Sequence, residues 1–166
     1  MSYLLALDQG TTSSRAIIFN PQGQIQAIAQ TETKIHTPQS GWVEQDAHEI
    51  WSSQLGVVQQ ALASAGILAK DICALGLTNQ RETTVVWDKR TGRALAPAII
   101  WQDRRAAAWC NQLIEKNLGP IILKKTGLRM TPILVQANWF GYLNMLRAYA
   151  LWLNKAMLPL APLTVG

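Results

Sequence analysis

Acidic residues run out early in this chain. All ten aspartates and glutamates lie at or before Glu115, and residues 116–166 carry six basic residues with no acid at all. The net charge of +5 is therefore a property of the C-terminal third. A folded basic face built for nucleic acid normally mixes acids among its lysines and arginines, so the charge does not argue for a nucleic-acid partner, and the tail needs its own explanation. Cysteine is scarce too. Cys73 and Cys110 are far apart and match no metal-ligand spacing, so a reduced, cytoplasmic setting is expected. His36 and His48 have no sequence neighbours that suggest a metal site or a catalytic triad. The aliphatic run Leu4-Leu-Ala-Leu7 that Asp8 interrupts has four residues, too few for a signal peptide. Residues 130–146 form an uncharged stretch of 17, but Gln136, Asn138 and Asn144 interrupt it and Arg147 closes it short of a comfortable membrane span. No long repeat is visible. At 49% hydrophobic and 15% charged, 166 residues are enough for one globular domain with a real core.

The run Leu4-Leu-Ala-Leu-Asp8-Gln-Gly-Thr-Thr-Ser-Ser-Arg15-Ala-Ile-Ile-Phe19 is the most informative segment. An apolar strand ends in a carboxylate, a glycine and four hydroxyl residues follow, and a second apolar strand begins almost at once. The turn thus joins strand to strand. Walker and dinucleotide loops instead open a helix. Gly10 permits close backbone approach to a polyphosphate, and Thr11, Thr12, Ser13 and Ser14 offer donors. Asp8 would repel a phosphate directly, so its useful role is to hold Mg²⁺ through water. A plain solvated hairpin turn would use the same residue types.

Residues 3–8, 15–20 and 24–31 read as three strands of an antiparallel meander, with Asn20-Pro-Gln-Gly23 as the second turn. Residues 37–41 read as a loop. Asp46, with Glu49 three residues on, is an N-cap for a helix that Gly66 ends, and Ile50, Trp51, Leu55, Val58, Leu62 and Ala65 define its expected buried face. Residues 71–78 fit a buried parallel strand, expected to be the most buried of all. A further strand is expected over 83–88, a turn at Lys89-Arg-Thr-Gly92, an apolar run over 96–101, and a helix from about 103 to 117 with Ala107, Cys110, Leu113 and Ile114 inward. Three meander strands and then a helix-linked strand resemble the ribonuclease-H-like α/β fold of hexokinase, actin and the heat-shock chaperones.

Asn79-Gln-Arg81-Glu82 follows the buried strand directly, where α/β folds place ligand contacts. A guanidinium beside a carboxylate can read a polyol, since Glu82 accepts from hydroxyls while Arg81 donates to their oxygens. The same pair also occurs in ordinary exposed loops. Trp101, after the apolar run, could wall a small-molecule pocket or fill a core.

The segments Asp8-Gln-Gly-Thr-Thr-Ser-Ser-Arg15, Gly41-Trp-Val-Glu44, Glu49-Ile-Trp51, Thr78-Asn-Gln-Arg-Glu-Thr-Thr84, Trp87, Ala98-Ile-Ile-Trp101 and Thr126-Gly-Leu128 carry a more specific resemblance. In order and spacing, residues 3–132 resemble the glycerol kinases of the FGGY carbohydrate-kinase family. The resemblance implies an incomplete first domain of a two-domain kinase, with ATP and Mg²⁺ as cofactors and glycerol as substrate. It also implies a cytoplasmic homo-oligomeric parent that binds neither membrane nor nucleic acid. Thr11, Thr12, Ser13 and Arg15 would face the nucleotide phosphates, Asp8 the metal, and Arg81, Glu82 and Trp101 the glycerol. By the resemblance the general base, the second phosphate loop and the adenosine pocket of the family lie further along than this chain reaches, so no catalytic residue is assigned and the chain alone is expected to be inactive. Two alternatives are an FGGY kinase for another sugar or polyol and a non-enzymatic nucleotide-binding module, which would have no use for Arg81 and Glu82.

After Pro132 the family pattern continues Pro-Tyr-Phe-Ser, whereas this chain has Ile133-Leu-Val-Gln136. Codons can be chosen for residues 133–148 so that one restored base reads Tyr-Phe-Ser-Ala-Ser-Lys, and the same shift further on reads Phe-Gly-Thr-Val-Asp-Ser-Trp. Both resemble the family. Residues 1–132 are accordingly expected to be partial kinase domain and 133–166 an out-of-frame tail, which accounts for its lack of acids.

Overall fold

The computed structural model describes residues 2–132; the expected tail at 133–166 lies outside the described residues. Among the described residues the chain divides into two compact units, 2–103 and 104–132.

In the first unit, strands β1 (Tyr3–Gln9), β2 (Ser13–Phe19) and β3 (Ile25–Glu32) form the expected antiparallel meander. Strand β5 (Ile72–Thr78) adds to β1 in parallel, which gives the order β3-β2-β1-β5. Between them in sequence come the two-residue β4 (Glu44–Gln45) and helix α1 (Ala47–Ala65). Asp46 caps α1, its carboxylate accepting from the backbone N–H of His48 at 2.7 Å and of Glu49 at 3.3 Å. Gly66, at φ 66°, ends the helix in the left-handed conformation that glycine adopts at least cost. The helix packs on β2 and β3, and Leu5, Ala16, Ile18, Ala29, Val57 and Ala61 form the core between them.

The buried face of α1 is rotated from the one its apolar residues suggest. Gln54, Val57 and Ala61 are buried, whereas Trp51 and Leu55 are exposed at 63% and 42%. The cause lies at the polar end of the sheet. The Ser53 hydroxyl meets the Ser14 hydroxyl at 2.6 Å and the Gln54 amide donates to the Arg15 carbonyl at 3.2 Å, so two hydrogen-bonding residues hold positions that an apolar-only count leaves to solvent.

The expectation for β5 is overturned more sharply. From Cys73 to Thr78 every residue of this strand is exposed, Leu75 at 58% and Leu77 at 67%. Its composition is that of a buried strand, but among the described residues it is the sheet edge farthest from α1, and no element covers it.

A second, small sheet pairs β4 with β6 (Ala98–Ile99), aligning Gln45 with Ala98. The expected strand at 83–88 forms only isolated bridges there, Thr84 to Ile99 and Trp87 to Ala94. The turn at 88–92 forms as expected; the Arg90 backbone N–H bonds the Asp88 carboxylate at 2.7 Å and holds its pKa below the usual range. Ala98, Ile99 and Ile100 are fully buried. Asp103 was expected to open a helix. Instead it is buried, and its carboxylate accepts from the Val43 backbone N–H at 2.6 Å.

In the second unit, helix α2 (Ala107–Glu115) starts later than expected for that reason, and α3 (Gly119–Thr126), which was not anticipated, follows. Ala106 and Cys110 are buried with Trp109 and Met130 packed against them, while Ile114 is 48% exposed.

Candidate functional site

The functional elements gather where β1 and β5 end. In the parallel register Asp8 lies beside Thr78, so the β1–β2 hairpin and the loop after β5 leave the sheet together. This is the strand-end position at which open α/β sheets bind ligands.

The hairpin is closed by the Gly10 N–H donating to the Ser13 carbonyl at 2.9 Å. A Cβ at Gly10 would stand 3.1 Å from that same carbonyl oxygen, so the tight turn favours glycine. Strand alternation then divides the hydroxyls. Ser14 points to the α1 side and is fully buried, bonded to Gln9 Oε1 at 2.9 Å and to Ser53. It anchors the turn from beneath and is withdrawn from any ligand. Thr12 is exposed, and Thr11 and Ser13 are half-buried.

Asp8, Arg15 and Gln30 form a row across β1, β2 and β3, each aligned with the next. The Arg15 guanidinium is 3.7 Å from the Asp8 carboxylate, and its Nε donates to Gln30 Oε1 at 2.9 Å. Both members of the ion pair keep roughly two-fifths of their side-chain surface exposed (39% and 45%). A pair this open contributes little to stability and leaves both groups able to meet a ligand. Asp8 thus offers a solvated carboxylate that fits a Mg²⁺ ion shared with phosphate oxygens and water, because that ion commonly needs only one or two protein carboxylates. Among the described residues no group of three or more His, Cys, Asp or Glu could hold a metal by itself.

Beyond β5, Arg81 is exposed and Glu82 is half-buried. Glu82 has φ 61°, the left-handed region that costs a non-glycine residue about 1–3 kcal/mol. Strain of this kind persists where surrounding structure enforces it, often at ligand sites. Trp101 is 40% exposed, and its indole N–H donates to Thr11 Oγ1 at 2.9 Å. It is neither a core residue nor a free surface one; it braces the hairpin.

Four residues of this neighbourhood, Thr33, Gln45, Gln80 and Thr83, were given no role from the sequence, although the last two lie in segments it singled out. Gln45 is 1% exposed and donates to the Thr11 carbonyl at 2.8 Å and to Thr33 Oγ1 at 3.2 Å. Thr33 Oγ1 also donates to the Thr11 carbonyl at 2.9 Å. Gln80 Nε2 donates to Gln45 Oε1 at 3.0 Å, and Thr83 Oγ1 donates to Gln80 Oε1 at 3.1 Å. The one available signal was Gln45 lying between apolar Val43 and the capping Asp46, too weak to distinguish it from a surface residue.

Known proteins are similar to this chain in sequence and in fold. The model of the FGGY family of carbohydrate kinases, N-terminal domain, matches residues 3–140. A glycerol kinase of Acinetobacter baylyi is 78% identical over 132 residues, which is 80% of this chain and 27% of the relative. Among solved structures, Plasmodium falciparum glycerol kinase with ADP aligns at a TM-score of 0.75 and 25% identity, over 83% of this chain and 28% of that one. A xylulose kinase from Rhodospirillum rubrum aligns at a TM-score of 0.73 and 28% identity, over 82% and 28%. The ribonuclease-H-like α/β expectation agrees with these neighbours. The chain thus spans only about a quarter of the length of such relatives (27% of the first). With the family model covering most of it, the chain belongs to the FGGY family of carbohydrate kinases and carries sequence of their N-terminal domain.

Proposed function

We propose that this chain is the N-terminal part of a cytoplasmic, homo-oligomeric kinase that transfers the γ-phosphoryl group of ATP to glycerol. The observation that carries the reading is a pair of hydrogen-bonded links from the hairpin, Thr11 to Trp101 and Thr11 through Gln45 to Gln80 of the Arg81–Glu82 loop. Such links support the reading because phosphoryl transfer requires phosphate and acceptor hydroxyl to be held close together. The 78% identity to a glycerol kinase supports glycerol over other polyols. In this reading Thr11, Thr12, Ser13 and Arg15 contact the phosphates, Arg81 and Glu82 orient the hydroxyls, and Trp101 walls the carbon chain. Mg²⁺ near Asp8 would neutralise phosphate charge. The proton of the attacking hydroxyl goes to a base outside residues 1–132, so the 166-residue polypeptide alone forms no glycerol 3-phosphate. Residues 133–166 are proposed to be out-of-frame, and resequencing across codons 125–170 tests that directly.

The activity is tested by joining residues 1–132 to the remainder of the Acinetobacter baylyi relative. This chimaera should phosphorylate glycerol with ATP and Mg²⁺. Arg81→Ala and Glu82→Ala should raise KM for glycerol more than KM for ATP. Preference for xylulose or gluconate, or an unchanged glycerol KM in both variants, would overturn the assignment.

A further inference from the structure

The bridge has a fixed polarity, and a single side chain sets it. The Thr11 carbonyl can only accept, so the atom of Gln45 that meets it at 2.8 Å must be the amide nitrogen. The two hydrogens of that nitrogen are then both used, on the Thr11 carbonyl and on Thr33 Oγ1. Gln45 Oε1 must therefore face Gln80, and Gln80 must donate with its own NH₂ group. That leaves Gln80 Oε1 to accept from the Thr83 hydroxyl. Every group in the chain is satisfied in one orientation only. Reversing the Gln45 amide would set oxygen against oxygen at Thr11 and nitrogen against nitrogen at Gln80.

We propose that Gln45 is a positioning residue that holds the phosphate hairpin with the nitrogen of its amide and the Arg81–Glu82 loop with the oxygen, so that losing the whole amide loosens both subsites while losing one end loosens only the subsite it serves. Its backbone belongs to β4, pinned opposite Ala98 of β6, and its side chain is 1% exposed, so it is a rigid strut. Gln80, its partner on the far side, and Thr83, which donates to Gln80, flank Arg81 and the strained Glu82 directly. The proposal rests on the kinase reading above for the roles of the two ends. The coupling itself is a property of the bonds.

The variants are made in the chimaera. Gln45→Met keeps the volume and removes every hydrogen bond; Gln45→Glu keeps an acceptor for Gln80 but sets a carboxylate oxygen against the Thr11 carbonyl. Gln45→Met should raise KM for both ATP and glycerol, by roughly threefold to tenfold each. Gln45→Glu should raise KM for ATP by a similar factor and leave KM for glycerol within about twofold, and Gln80→Met should do the reverse. The Gln45→Met/Gln80→Met double variant should be no worse on glycerol than Gln45→Met alone. A purely structural role would lower stability without this split.

Amide hydrogen exchange decides the coupling whether or not the chimaera turns over. Gln45→Met should speed exchange in residues 10–13 and 79–84 together, and Gln80→Met in 79–84 alone. A chimaera that shows the exchange pattern but does not phosphorylate glycerol overturns the kinase reading and leaves the strut standing. In Gln45→Met, kinetic parameters within twofold of the parent, or exchange that changes in only one of the two segments, would overturn the strut.

Discussion

Replacing Trp101 with phenylalanine separates its two roles. An aromatic ring to wall the glycerol is kept, though a smaller one; the indole N–H that reaches Thr11 Oγ1 at 2.9 Å is lost. A neutral side-chain hydrogen bond contributes about 0.5–1.5 kcal/mol net. Trp101 is 40% exposed, so water can take over part of the bond, and the expected cost falls in the lower half of that range. A loss of about 0.5–1 kcal/mol is roughly a twofold to fivefold drop in kcat/KM for glycerol. Thr11→Val removes the same bond from the other side, plus whatever the hydroxyl does for phosphate, so it should lower kcat/KM for both substrates. The informative quantity is the double variant. Because the two changes delete one shared bond, Trp101→Phe with Thr11→Val should cost less than the sum of the singles by about 0.5–1 kcal/mol on glycerol. The assay is coupled ADP release by the chimaera at saturating ATP with glycerol varied. Additive losses, or a Trp101→Phe enzyme indistinguishable from its parent, would show that the bond does not bring the two subsites together.

The cap on α1 should be worth about 1 kcal/mol, so Asp46→Ala should lower the denaturant midpoint without changing the slope, whereas Asp46→Ser should not. Thiol titration should find Cys73 fast and Cys110 slow, because Cys73 is exposed and Cys110 is only 1% exposed. Burial raises the Cys110 pKa, so its contribution to stability is complete below the ordinary thiol value and is lost as pH rises through the folded value; a Cys110→Ala chain should lack that alkaline decline. An uncovered apolar edge strand invites pairing with other chains, so Leu77→Lys should raise the solubility limit of the 166-residue polypeptide several-fold, and an unchanged limit by light scattering would acquit β5.

Local rules carried well where the chain satisfies itself locally. The meander, its Asn20–Gly23 turn, the Asp46 cap and the Gly66 stop are all decided by neighbours within a few residues, and each formed as read. Burial was legible only where the covering element also lies among the described residues. Composition identified β5 as a strand suited to burial, but composition cannot say what will lie on it; Leu5 is covered by α1, while its register partner Leu75 on β5 is not. Trp51 shows the complementary error. Its spacing with Leu55 and Leu62 is helical, yet Ser53 and Gln54 take the inward positions because the sheet offers them the Ser14 hydroxyl and the Arg15 carbonyl.

The site shows the same division between what is local and what is brought together. Asp8, the hydroxyl hairpin and the Arg81–Glu82 pair announce themselves because each combines unusual residue types in a short segment. The bridge does not, because its members are common residues whose meaning comes from distance in sequence: Thr11, Gln45 and Gln80 are separated by more than thirty positions at each step. A buried glutamine has no sequence signature that separates it from an exposed one. What makes Gln45 conspicuous in the fold is an accounting constraint, since a fully buried amide must place two donors and an acceptor, and here one donor goes to the hydroxyl hairpin at Thr11, the other to Thr33, and the acceptor faces Gln80 beside Arg81. Ser14 is the converse. It sits inside the most recognisable motif of the chain and is removed from the ligand side by nothing more than the two-residue period of a strand. Motif membership therefore selects the segment, and the alternation and hydrogen-bond accounting of the fold select which of its residues can act.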